Sequence, residues 1–144
     1  MKQFALVLVL VLALSSGAMA AQTRECKAGD DDTFKITVPE GWNVQDIENG
    51  CAVVKADNSE FISVAYYRTS LRPVPFAEQL ASKLKAKPEF NKRDEDYADF
   101  DVVLDGQKIN VTVTNTDKDS DEVQVTMQKG DSDTLDEIFD SLEF

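Results

Sequence analysis

Cys26 and Cys51 are the only thiols in a chain of 144 residues that contains no histidine. That inventory decides most of the chemistry. Without histidine there is no Ser-His-Asp or Cys-His nucleophile and no His-ligated metal centre. Thiolate zinc is disfavoured as well, since the two cysteines are not spaced as Cys-x-x-Cys. Two cysteines in an exported chain most simply pair with each other, so a Cys26–Cys51 disulfide is expected. Closing a loop of about 25 residues would stabilise the fold by roughly 3–4 kcal/mol in the chain-entropy model. The six glycines are isolated single residues, and no phosphate-cradling loop is present. Carboxylate pairs survive as acid/base groups. With 27 acidic residues, however, almost any fold brings some pair together. A non-catalytic protein with no cofactor is expected, and a carboxylate-dependent hydrolase is the weakest alternative.

Three further segments carry chemical potential. Asp117, Asp119 and Asp121 have the alternate spacing that opens an EF-hand loop, where carboxylates converge on calcium. The sixth position is Glu122 instead of glycine, and the twelfth is Gln128, which supplies no bidentate carboxylate. A solvated hairpin loop is the expected role. A weak calcium site, helped by Asp30-Asp31-Asp32 if they lie nearby, is the alternative. Tyr66, Tyr67, Arg68 and Arg72 precede Pro73 and Pro75. Arg with Tyr is a common interface pairing, so this connector is a candidate partner surface; the plainer reading has the rings covering a core edge. Asn110-Val111-Thr112 matches a glycosylation sequon but falls inside an expected strand, where it reads as chance.

The elements that must position these residues follow from periodicity. Phe34, Ile36 and Val38 alternate with polar residues until Pro39-Glu40-Gly41, which marks a strand closed by a turn. Cys51 to Ala56 and Phe61 to Arg68 form a strand pair around Asp57-Asn58-Ser59. Phe76, Leu80 and Leu84 then recur every four residues, as on an amphipathic helix opened by proline and ended by Pro88. Strands through Phe100 to Leu104 and Ile109 to Val113 flank Asp105-Gly106, a tight-hairpin pair. Val123 to Met127 forms another strand, and Leu135, Ile138, Phe139 and Leu142 stripe a closing helix. The expected class is α+β: a central antiparallel sheet of about six strands with helices packed on its faces, in one domain.

Residues 1–20 read as a secretory signal peptide. Lys2 precedes the apolar run Phe4 to Leu14, and Ala18-Met19-Ala20 is a small-residue cleavage site. Eleven apolar residues rise only about 16 Å as a helix, roughly half a hydrocarbon core, so no membrane span is expected after cleavage. The mature domain is then residues 21–144. The signal carries one Lys and no acid, so the whole-chain charge of −12 becomes −13. That sign argues against nucleic acid and anionic lipid as partners.

With those elements on the page, the chain resembles the PsbP-like superfamily. This includes the extrinsic P subunit of photosystem II, a Ran-binding import factor and bacterial exported proteins of the DcrB and LpqN type. The resemblance is carried by Phe34-Lys35-Ile36-Thr37-Val38-Pro39-Glu40-Gly41-Trp42, the helix around Phe76 to Leu84, the strands across Asp105-Gly106 and the closing helix. It implies a sandwich of helices on an antiparallel sheet, an accessory or adaptor role without catalysis, and a periplasmic location. The leading functional expectation is therefore a periplasmic binding or adaptor protein that engages another protein. The alternative is a carrier of a small ligand or cation.

Overall fold

The computed structural model describes residues 21–29, 31–116 and 121–144. The expected signal segment lies outside the described residues. Among the described residues no helix is long and apolar enough to cross a membrane.

Among the described residues, the α+β expectation is corrected by a mainly β architecture of nine strands and two helices in one domain. The strands are β1 (Gln22–Ala28), β2 (Asp32–Val38), β3 (Trp42–Ile47), β4 (Gly50–Lys55), β5 (Phe61–Arg68), β6 (Glu89–Asp94), β7 (Tyr97–Leu104), β8 (Gln107–Asn115) and β9 (Glu122–Lys129). The helices are α1 (Pro73–Lys83) and α2 (Asp133–Asp140). Strands β1 and β2 make a separate two-stranded sheet, and the others form an antiparallel sheet in the order β3-β4-β5-β9-β8-β7-β6.

Three strands escaped the periodicity argument, each for its own reason. In β1 only Cys26 and Ala28 are buried, because the rest of the inward row is Gln22 and Arg24. In β3 the row of Trp42 and Val44 is broken by Gln45 and Asp46, which read as a loop with anchors. Strand β6 is an exposed, charged edge with a bulge between Phe90 and Lys92. Charge and a bulge are how a sheet edge avoids pairing with a stranger, and they also erase the apolar alternation that announces a strand.

The large sheet is two meanders joined by α1, which carries the chain from β5 to the far edge. Prolines at its first positions suit groups with no intrahelical acceptor. It stops before Pro88, at Leu84, because Lys85 turns left-handed (φ 55°). Phe76, Ala77, Leu80 and Ala81 bury one face of α1 on Phe100, Val111 and their neighbours. The Asp105-Gly106 turn is as expected, with φ positive at both residues and Leu104 paired with Gln107.

A second core lies on the opposite face. There Phe34, Ile36 and Val38 from the β1–β2 hairpin meet Val53, Ile62 and Val64, and α2 adds Leu135 and Ile138. Ser132 occupies the N-cap of α2, but its hydroxyl donates to Glu60 at 3.0 Å instead of capping. Tyr66 stands in this second core with its ring edge-on to Phe34 and Phe144, while Tyr67 points the other way onto Phe76.

Both tyrosines are pushed upward chiefly by burial, Tyr66 to about 12 against an ordinary 10.0. Folding therefore holds the neutral phenol beyond its unfolded range. The stability this supplies is complete below pH 10 and is lost as pH rises toward 12. For Tyr66 the loss should reach about 2–3 kcal/mol. Alkaline titration of tyrosinate absorbance beside the unfolding midpoint checks this. Ionisation near pH 10 without any loss of stability would contradict the burial.

Candidate functional site

The face shared with α2 changes character halfway across the sheet. Strand register lines up Cys51, Val64, Thr126, Thr112 and Asp99 in one row. The rows beside it run Val53, Ile62, Gln128, Asn110, Asp101 and Tyr66, Gln124, Thr114, Tyr97. Leaving Tyr66 aside, the rows switch from apolar to polar at the β5–β9 boundary. The β1–β2 hairpin and α2 cover the apolar half. The polar half stays partly exposed, walled on one side by α2.

Two adjoining hollows occupy that open half. The larger, about 580 Å³, has Thr112, Thr126 and Gln128 on its floor and Asp136, Phe139 and Asp140 along its wall. The smaller, about 390 Å³, shares Thr114 and Gln124 with it and extends to Asn115, Glu122, Asp32 and Phe144. Together they make a groove. Thr126 is only 6% exposed, yet its Oγ1 has no hydrogen-bond partner. Asn115 Oδ1, in the second hollow, is likewise buried without one. An unpaired buried polar atom costs about 1–3 kcal/mol, so two at one groove need a reason.

The amides of the floor are held in one orientation. Asn110 donates from Nδ2 to Asp99 (2.7 Å) and Asp101 (3.0 Å). Gln124 Nε2 donates to the Tyr66 hydroxyl at 2.7 Å, and Gln128 Nε2 to the Gly130 carbonyl at 3.1 Å. With both N–H groups of Asn110 and one each of Gln124 and Gln128 turned to protein, these side chains keep more acceptor than donor capacity. Beside them, desolvation acts to raise the Asp101 carboxyl. Hydrogen bonds from Asn110 and Asn91, with the Lys108 ammonium, outweigh it and leave the pKa below the ordinary value.

The residues singled out in the sequence are scattered in the structure. Cys26 and Cys51 come together, both buried and hydrogen-bonded as free thiols, where the β1–β2 hairpin crosses β4. Tyr66, Tyr67, Arg68 and Arg72 do not form one surface. The tyrosines are buried on opposite faces of β5, Arg68 is exposed beside Asp31 at 4.0 Å, and Arg72 pairs with Asp96. Asp117 and Asp119 lie outside the described residues, as does Asp30. Asp121 directly precedes β9, where its carbonyl accepts from the Thr69 N–H at 2.7 Å. Among the described residues no group of three or more Cys, Asp or Glu is placed to hold a metal ion. Asn110 of the sequon faces the groove network and not open solvent.

The groove residues themselves were passed over as polar positions facing away from the core. Their one signal was that polar residues alternate on both β8 and β9. Which half of that face α2 would leave uncovered depends on long-range pairing. Neither the known protein-family models nor the curated proteins give a match to this chain.

Proposed function

We propose that the mature chain is an exported, non-catalytic binding protein that carries a small ligand in the groove beside α2. The observation that carries this reading is the Thr126 hydroxyl, buried and unpartnered on the floor of a 580 Å³ hollow. A ligand that supplies its missing hydrogen bond removes the cost of that atom. Concave form with a few converging polar groups is the ordinary shape of a small-molecule site. The signal-like residues 1–20 support export in this reading, and the PsbP-like resemblance supports a periplasmic location and a role without catalysis.

Engagement of another protein, the leading expectation from sequence, has weaker support. The large apolar side chains exposed among the described residues are Val103, Phe139 and Phe144. Phe139 and Phe144 border the groove, and Val103 stands apart near Pro88. That is no contiguous apolar patch of the several hundred Å² typical of protein docking.

Native mass spectrometry of the mature domain, exposed to the small-molecule fraction of periplasmic extract, tests the proposal. A bound species is expected in wild type and should be lost in Thr114→Trp, whose side chain fills the junction of the two hollows. The same adduct in both proteins, or none in wild type, would reject the groove as the binding site.

A further inference from the structure

Resting on that reading, we infer that the groove is built for an elongated organic ammonium ion, of the linear polyamine class. Four features point to this chemistry together. The walls carry Asp136 and Asp140 in the first hollow and Asp32 and Glu122 in the second, and among the described residues no Lys or Arg lines either one. Second, Asn110 directs both its N–H donors to the protein and Gln124 and Gln128 one each, which leaves the floor amides richer in acceptors than in donors. An ammonium group has three donors and no acceptor. An anion would meet the carboxylate walls without a basic partner among the described residues.

Third, Phe139 lines the first hollow and Phe144 the second. Aromatic faces attract cations and also accept the methylene stem between them. Fourth, Asp140 ends α2 at the negative pole of the helix, with no basic residue in the last turn. A carboxylate there is locally unfavourable. A bound cation relieves it, and the unpartnered Thr126 Oγ1 supplies a fixed acceptor below. Two joined hollows with acids in each suit two or more ammonium groups on one flexible chain.

The test is calorimetric titration of the whole mature domain with spermidine and with putrescine at low ionic strength, with amide shift mapping to locate the site. One-site binding is expected, tighter for spermidine, with shifts centred on Thr112, Gln124 and Thr126. The double variant Asp136→Asn/Asp140→Asn should weaken spermidine at least tenfold. Asp57→Asn/Asp105→Asn, which removes the same charge at two exposed turns away from the groove, should change it less than twofold. Thr126→Val should weaken binding by about tenfold or more while keeping the fold, as for one hydrogen bond to a charged group. Equal weakening by both double variants would mean general attraction to an acidic protein and would overturn the inference. Failure of both amines, with a neutral or anionic compound shifting the same residues, would overturn the amine class but leave the binding groove standing. No compound of any charge shifting those residues would overturn both.

Discussion

Gly50→Ala is expected to destabilise the mature domain by more than about 3 kcal/mol, or to prevent folding altogether. A Cβ at this position would lie 1.8 Å from the Val64 carbonyl oxygen and 2.7 Å from the Ala65 Cα. Both obstacles are backbone. Neither can rotate aside as a side chain would, so relief requires β4 to part from β5 where Gly50 faces Ala65. The turn cannot drift outward either. Asn49, at φ 67°, accepts through its carbonyl from the Gly29 N–H at 3.3 Å and the Tyr66 N–H at 3.0 Å. Overpacking a well-filled core costs typically 1–3 kcal/mol, and more where backbone must move. Gly106→Ala is the contrast. Nothing lies within 4 Å of its added Cβ, and only its φ of +78° resists, so about 1 kcal/mol is expected. Urea midpoints of the two variants beside wild type separate these mechanisms. Equal, small losses would show that β4 and β5 do not approach as closely as described.

What the sequence revealed and what it hid divide along physical lines. Strands with an apolar row, such as Phe34-Ile36-Val38 and Ile109-Val111-Val113, were legible because burial on one face imposes a period of two. So were both helices and the Asp105-Gly106 turn, which depend on local spacing and local φ. The count of strands failed at β1, β3 and β6, where edge position or a polar inward row removes the alternation. The class failed with it, because those three strands turn a balanced α+β pattern into a mainly β one. Of the chemistry, only the cysteine pair could be anticipated, since composition alone restricts two thiols to each other. The plainer reading of Tyr66-Tyr67, as rings over a core edge, agrees with their burial, and the reason is geometric. Adjacent residues on a strand face opposite sides, so both rings entered cores and left Arg68 outside. The groove was hidden because a threonine on a solvent face and a threonine starved of partners beneath a helix look the same in one dimension.

The second large effect belongs to the thiols. Without reductant the mature domain is expected to carry a Cys26–Cys51 disulfide and to be about 3–4 kcal/mol more stable than its reduced form. The pair already meets inside the second core, with the Cys51 thiol donating a hydrogen bond to Cys26. That bond, and then burial, push the Cys51 pKa well up, while acceptance of the same bond lowers Cys26. Closure runs through a mixed disulfide: one cysteine attacks an external disulfide, and the other attacks the cysteine sulfur so bound and displaces the external thiol to form the Cys26–Cys51 bond. Two thiol protons and two electrons pass to that external oxidant. The new bond ties β1 to β4, and so fastens the two-stranded sheet to the seven-stranded one. The hairpin otherwise rests on the apolar contacts of Phe34, Ile36 and Val38, on the Gly29–Asn49 and Lys35–Glu143 backbone hydrogen bonds and on the Arg24–Asp46 ion pair at 3.2 Å. Reduction, or Cys26→Ser with Cys51→Ser, should thus lower the urea midpoint and raise amide exchange first across Gln22–Val38, with β7 and β8 still protected. Exchange rising uniformly would mean that the hairpin and the large sheet open as one unit. Two titratable thiols per chain in protein isolated under oxidising conditions, with a midpoint indifferent to reductant, would make this pair a buried thiol contact and nothing more.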